Sequence, residues 1–228
     1  MKNILKVASI ALVLSLTLFG ITNKAYAAKL TMYCSVEIDV CEMLEQAYEK
    51  ETGTKVAMTR ASSGETFAKI KAEASNPKGD VWFGGTGDPH LTAAQENLTE
   101  KYKSVHFNDL LPAAQNQAKN ADFKSVGIYV GALGFGYNKD LLAKKGLPAP
   151  KSWMDLTKPI YKGEIQVANP NSSGTAYTTL ATILQIFGED KGWDYMKKLH
   201  ANINTYTKSG SAPIKATGRG ENLIGICF

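Results

Sequence analysis

Chemistry-bearing residues are sparse in this 228-residue sequence. Its three histidines, His90, His106 and His200, are scattered, and no two stand at the spacing with which one helix face presents a pair of zinc ligands. The stretch Gly85-Thr86-Gly87-Asp88-Pro89-His90 starts like a dinucleotide fingerprint, but His90 stands where the third glycine belongs. No Gly-x-x-x-x-Gly-Lys-Ser/Thr phosphate loop and no Gly-x-Ser-x-Gly elbow occurs. Glu42, Glu45 and Glu49 fall on a charged helix face, where carboxylates are solvated. The patterns supply neither a nucleophile–base pair nor a metal set, so no enzyme chemistry and no cofactor is expected.

An excess of one charge is also lacking. Lys and Arg total 26 against 21 Asp and Glu, and three of the lysines, Lys2, Lys6 and Lys24, lie in the first 27 residues, which hold no acid. No Lys/Arg cluster has the density of a nucleic-acid face, so no nucleic-acid partner is expected.

Long apolar runs are missing except at the start. There a basic beginning, an apolar stretch from Ile10 to Phe19 and the small-x-small end Ala25-Tyr26-Ala27 read as an export leader cut before Ala28. The run is short of the roughly 20 residues a membrane span needs. Thr31-Met32-Tyr33 lacks the small residue a lipid-anchored cysteine requires just before it, so Cys34 is not a lipobox cysteine. The reading is an exported, periplasmic chain.

Only three cysteines are present. Cys34 ends a strand-like run and Cys41 starts a helix-like one, close enough for a strand-to-helix disulfide in an oxidising compartment. Cys227 is left over. Either it is free or its partner lies beyond the end of this chain.

What the sequence does have is rhythm. Lys29–Ser35, Lys55–Arg60 and Asp80–Phe83 read as strands; Val40–Glu51, Thr66–Ala74 and Leu91–Glu96 read as helices. This alternation predicts a parallel sheet covered on both faces, and ligands of such sheets sit beyond the carboxyl ends of the strands. Residues 102–122 are polar and irregular. Ser125–Asn138 alternates apolar residues with glycine and reads as one long strand, the crossing between two lobes. A second α/β half follows, with helices to Phe187 and over Lys191–Ile203, and the chain stops on the strand-like Glu221–Phe228. The expected organisation is leader 1–27, lobe one over 28–125, and an incomplete lobe two over 126–228 whose return to lobe one is absent.

The sharpest feature is a repeated device. Ser62-Ser63-Gly64 follows the second strand and Ser172-Ser173-Gly174-Thr175 follows the apolar run Glu164–Ala168, each opening a helix. Helix starts leave backbone N–H groups unpaired and carry the positive end of the dipole, which suits an anion. One such tripeptide is ordinary capping. Two, one per half, suggest a single small anionic ligand held between two lobes. Candidate ligand-binding residues are Ser62 and Ser63, Gly85 and Thr86 in the Gly84-Gly85-Thr86 loop, Ser173, Gly174 and Thr175, and Ser211 in the last loop, Lys208–Pro213.

These motifs are specific in combination. "YCS" with "CE", "ASSGETFAKIKAE", "NPKGDVWFGGTGDPH", "YVGALGFGYN", "NPNSSGTAYTTLA" and "RGENLIGICF" resemble periplasmic substrate-binding proteins of ABC importers, in the group named for ferric-iron binding that includes AfuA-type hexose-phosphate binders. The resemblance spans the chain after its leader. It implies an α/β, two-lobe, type II periplasmic-binding-protein fold, here C-terminally truncated, that acts as a monomer and docks when loaded on the membrane subunits of an ABC permease. It also implies that Ser62 or Ser63, and Ser173, Gly174 and Thr175, hold a sugar phosphate. The family's His-Asp pair and later Glu, or the adjacent tyrosines of its iron binders, would lie past Phe228, so Fe³⁺ with an anion, or a phosphonate, stays open beside hexose phosphate.

Overall fold

The computed structural model describes residues 29–228; the leader and its cut before Ala28 lie outside the described residues. Two sheets organise them. The first has the order β2-β1-β3, with β1 (Lys29–Cys34), β2 (Lys55–Arg60) and β3 (Val81–Phe83) all parallel. Helices α1 (Ile38–Thr52), α2 (Ser63–Ala72) and α3 (Gly87–Gln95) each follow one of these strands. All three strands therefore end on the same side of the sheet, and each runs there into a helix start.

The core beside this sheet is small: Met32, Cys34, Cys41 and Val56 are buried, with Leu30, Val36, Met58 and Phe83 packed on them. Cys34 and Cys41 are joined within it, their Cα atoms 6.0 Å apart. Cys227 has no sulfur partner among the described residues.

The second sheet has the order β4-β7-β5-β6, from β4 (Gly134–Tyr137), β5 (Ile165–Ala168), β6 (Ile203–Thr207) and β7 (Ile224–Cys227). β4 runs antiparallel to β7; the remaining pairs are parallel. Its core is larger. Ile165, Ile183, Leu199, Leu223, Ile224 and Ile226 are fully buried, each such side chain contributing about 1.5–3 kcal/mol on transfer from water. Two buried phenols find acceptors: Tyr161 donates to the Pro148 carbonyl at 2.6 Å and Tyr195 to that of Trp153 at 2.7 Å. The helices are α4 (Pro112–Asn120), between the two sheets in sequence, then α5 (Lys139–Lys145), α6 (Gly174–Phe187), α7 (Glu189–His200) and α8 (Ala212–Gly218).

Three readings need revision. The long strand expected over Ser125–Asn138 is a strand only at Gly134–Tyr137. An extended, alternating segment becomes a strand only beside a partner, and among the described residues β4 finds one in β7 while 126–133 finds none. The irregular stretch 102–122 contains α4, opened by Pro112 at a position where a missing N–H costs nothing. The helix expected through Ile203 stops at His200, and Ile203–Thr207 is the strand β6. The break falls at buried Asn202, whose amide donates to the carbonyls of Leu156 and Lys158, both at 2.8 Å. β6 escapes notice because only Ile203 and Tyr206 in it are apolar or aromatic.

Candidate functional site

Between the two sheets lies a cavity of about 450 Å³. Five strand-to-helix junctions border it: Ser35–Glu37 before α1, Ser62 and Ser63 at α2, Gly85–Asp88 at α3, Ser173–Thr175 at α6, and Gly210 and Ser211 at α8. Every residue singled out from sequence, Ser62, Ser63, Gly85, Thr86, Ser173, Gly174, Thr175 and Ser211, lines this one space.

The two Ser-Ser-Gly starts meet each other directly. Gly64 donates its backbone N–H to the Ser172 carbonyl at 3.0 Å, and the Ser62 hydroxyl donates to the Lys208 carbonyl at 3.2 Å. Closer approach needs glycine. A Cβ on Gly64 would lie 2.5 Å from the Asn171 carbonyl oxygen, and one on Gly174 would lie 2.0 Å from Thr86 Oγ1.

The starts look alike in sequence but differ in what they leave free. At α2, Glu65 accepts from the Ser62 N–H at 3.2 Å and Gly64 is engaged with Ser172, so a carboxylate and a carbonyl already use much of that helix end. Ser63 turns its hydroxyl to the Thr86 N–H, 3.2 Å away. At α6, Ser173 caps the helix by accepting from the Ala176 N–H at 3.4 Å, and the first turn holds no acid. The N–H groups of Gly174 and Thr175 have no intrahelical acceptor by position, and none among the described residues takes them. Across the gap, where a Cβ on Gly174 would meet it, Thr86 Oγ1 is buried and without a hydrogen-bond partner. An orphaned hydroxyl in a protein interior costs about 1–3 kcal/mol.

The loop that carries Thr86 is clamped on both sides. His90 Nε2 contacts the Gly84 carbonyl at 2.8 Å, and its ring stacks on Trp82 with centroids 3.6 Å apart. Burial pushes the His90 pKa down, and the bond to Gly84 only partly opposes it. Tyr129 accepts from the Gly85 N–H at 2.7 Å and donates to the Gly85 carbonyl at 2.9 Å. Trp82 in turn donates to Ser35 Oγ at 2.9 Å.

Sequence reasoning missed the charged part of the site. Arg60, Glu37 and Asp88 line the cavity, and Glu37 pairs with Lys215 of α8 across the gap. Burial alone would raise the Glu37 pKa, but hydrogen bonds from Lys215 and Ser211 and the nearby charges of Lys215 and Arg60 outweigh it, holding the carboxyl below its ordinary value. The position of Arg60, ending a strand just ahead of Ser62-Ser63-Gly64, was the available signal. Among the described residues no three His, Cys, Asp or Glu side chains gather to hold a metal ion, and no helix is long and apolar enough to cross a membrane.

Residues 80–227 match the family described as bacterial extracellular solute-binding protein. The chain belongs to this family. An uncharacterized protein of Haemophilus influenzae is 44% identical over 225 residues, 98% of this chain and 64% of its own length. Among solved structures, the periplasmic binding protein AfuA of Actinobacillus pleuropneumoniae, with exogenous fructose-6-phosphate bound, is 46% identical with a TM-score of 0.86, over 88% of this chain and 63% of that one. Iron-bound HitA of Pseudomonas aeruginosa is 22% identical with a TM-score of 0.71, over 87% and 62%, a likeness of fold alone. The fold is thus that of the type II periplasmic binding proteins, and the chain spans just under two thirds of the length of these relatives.

Proposed function

We propose that this family member is the extracytoplasmic substrate-binding component of an ABC importer, exported to the periplasm, that captures a small phosphorylated compound, a hexose phosphate, and delivers it to the permease. It works as a monomer and by binding, not by catalysis. The observation that carries the reading is that one cavity wall brings together Thr86, whose Oγ1 has no hydrogen-bond partner, and Gly174 and Thr175, whose N–H groups have no acceptor among the described residues. A tetrahedral anion is the ligand that answers both at once, since it offers oxygens in several directions and suits a helix start. The sheets follow the same logic: Thr86 belongs to the first half and Gly174 to the second, so a phosphate bridging them favours the closed arrangement over the open one by its differential affinity. Ser62, Ser63, Gly85, Ser173, Thr175 and Ser211 complete the wall around it. The cavity volume falls in the range of small-molecule sites, and AfuA, nearly half identical in sequence, holds fructose 6-phosphate.

The test is calorimetric titration of the purified protein with fructose 6-phosphate, fructose, 2-aminoethylphosphonate and ferric citrate, with a visible spectrum of the last mixture. The expected result is saturable binding of fructose 6-phosphate, no heat from fructose, and no red-brown phenolate–iron band. Ser173→Leu should lose binding by more than about 100-fold, because the side chain enters the anion seat. Tight binding of the iron complex or of the aminophosphonate, with none of the sugar phosphate, would replace this ligand with another.

A further inference from the structure

Arg60 is the one Lys or Arg side chain on the cavity wall among the described residues. It ends β2 and sits in register with Cys34 of β1. Its Nε donates to the Val36 carbonyl at 3.0 Å, which fixes the guanidinium plane against the β1–α1 turn. One Nη2 hydrogen reaches Ser209 Oγ at 3.3 Å, in the loop before α8. The remaining guanidinium N–H groups find no acceptor among the described residues, and Arg60 makes no ion pair with Glu37, whose carboxylate is taken by Lys215. A half-buried guanidinium is therefore held by a carbonyl from its own half and a hydroxyl from the other, with donors left over on a side chain that lines the cavity.

We infer that Arg60 is the charge-reading residue of this site: it pairs with the ligand's phosphate and sets the preference for a phosphorylated compound over its neutral parent. The inference rests on the phosphate reading above. Neutral donors such as Thr86 Oγ1 and the α6 N–H groups position oxygens, but they distinguish a dianion from a hydroxyl weakly. A guanidinium already locked in place adds charge-assisted, geometrically fixed bonds, the strongest kind available to an oxyanion. Its tie to Ser209 also means that the fork is fully oriented only when the two halves are together, so charge recognition and closure are linked at one side chain.

The test is calorimetry with fructose 6-phosphate on the wild type, Arg60→Lys, Arg60→Gln and Ser209→Ala, at low and high sodium chloride, with circular dichroism to follow folding. Arg60→Gln should weaken binding about 10- to 100-fold and flatten its salt dependence. Arg60→Lys, which keeps charge but loses the fork, should fall between, and it decides the matter if the glutamine variant does not fold. Ser209→Ala removes the tie across the gap and keeps the cation, so it should cost less than Arg60→Gln and retain the wild-type salt dependence. Equal affinity in both Arg60 variants overturns the inference while the phosphate reading stands. Equal losses in Ser209→Ala and Arg60→Gln, with unchanged salt dependence, also overturn it by making Arg60 only a strap. If the wild type itself binds no phosphorylated probe, both readings fall together.

Discussion

Gly64 gives its backbone N–H to the carbonyl of Ser172 at 3.0 Å, so the start of one Ser-Ser-Gly helix is tied to the chain entering the other. The bond crosses from the first sheet's half to the second's. It helps to fix how close the halves come, and Gly174 and Thr86 pack tightly beside it.

That approach leaves no room for a side chain. Gly174→Ala would put a Cβ 2.0 Å from Thr86 Oγ1 and 2.9 Å from Ser63 Oγ. Overpacking of this kind costs about 1–3 kcal/mol, and here it falls on the closed arrangement instead of on either sheet. The variant should fold with an unchanged circular dichroism spectrum and bind fructose 6-phosphate about 10- to 100-fold more weakly by calorimetry.

The Glu37–Lys215 ion pair is a further link across the gap. The Glu37 pKa is held below its ordinary 4.5, burial opposing and Lys215, Ser211 and Arg60 prevailing. A carboxylate lowered in this way contributes its full share above pH 4.5 and loses it as the pH falls through the lower folded value. Thermal melts between neutral and acid pH should show Glu37→Gln less stable than wild type near neutrality, with the difference vanishing in acid. A constant difference would mean that Glu37 acts by packing alone.

His90 works at a higher pH. Its pKa is depressed from 6.5 by burial, so its neutral form stabilises the fold fully above 6.5. That contribution declines as the pH drops from 6.5 to the lower folded value, because the unfolded chain takes the proton first. Nuclear magnetic resonance titration should place this imidazole below the ordinary histidine range. His90→Gln should remove the matching step from the pH–stability curve and loosen the Gly84–Thr86 loop.

The Cys34–Cys41 link closes a short ring in the smaller of the two cores and brackets Ser35, Val36 and Glu37, all on the cavity wall. Replacing both cysteines by alanine should cost about 2–4 kcal/mol in urea unfolding. Ligand affinity should fall as well, because the turn that orients Arg60 through the Val36 carbonyl is released. Loss of stability with unchanged affinity would confine the bond to a structural role.

Much of this was legible in the chain. The first three strands announce themselves by alternation and the first three helices by their apolar spacing, and the small hydroxyl residues after strands mark where backbone donors gather. The asymmetry between the two Ser-Ser-Gly starts was legible too: Glu65 stands three residues after Ser62, the spacing of a capping box, and nothing equivalent follows Ser173. What stayed hidden depends on contacts far apart in sequence. Arg60 meets Val36 and Ser209, Tyr129 meets Gly85, and Lys215 meets Glu37; no local pattern encodes such pairs. β6 was hidden for another reason, since a polar strand following a charged helix carries no periodic signal of its own.

The proposed function requires one phosphate to be held jointly by Thr86 of the first half and the α6 start of the second. A crystal structure of the protein with fructose 6-phosphate decides this. Phosphate oxygens should lie within hydrogen-bond distance of Thr86 Oγ1 and of the Gly174 and Thr175 N–H groups. A phosphate seated elsewhere, with Thr86 Oγ1 still unpartnered, would contradict it.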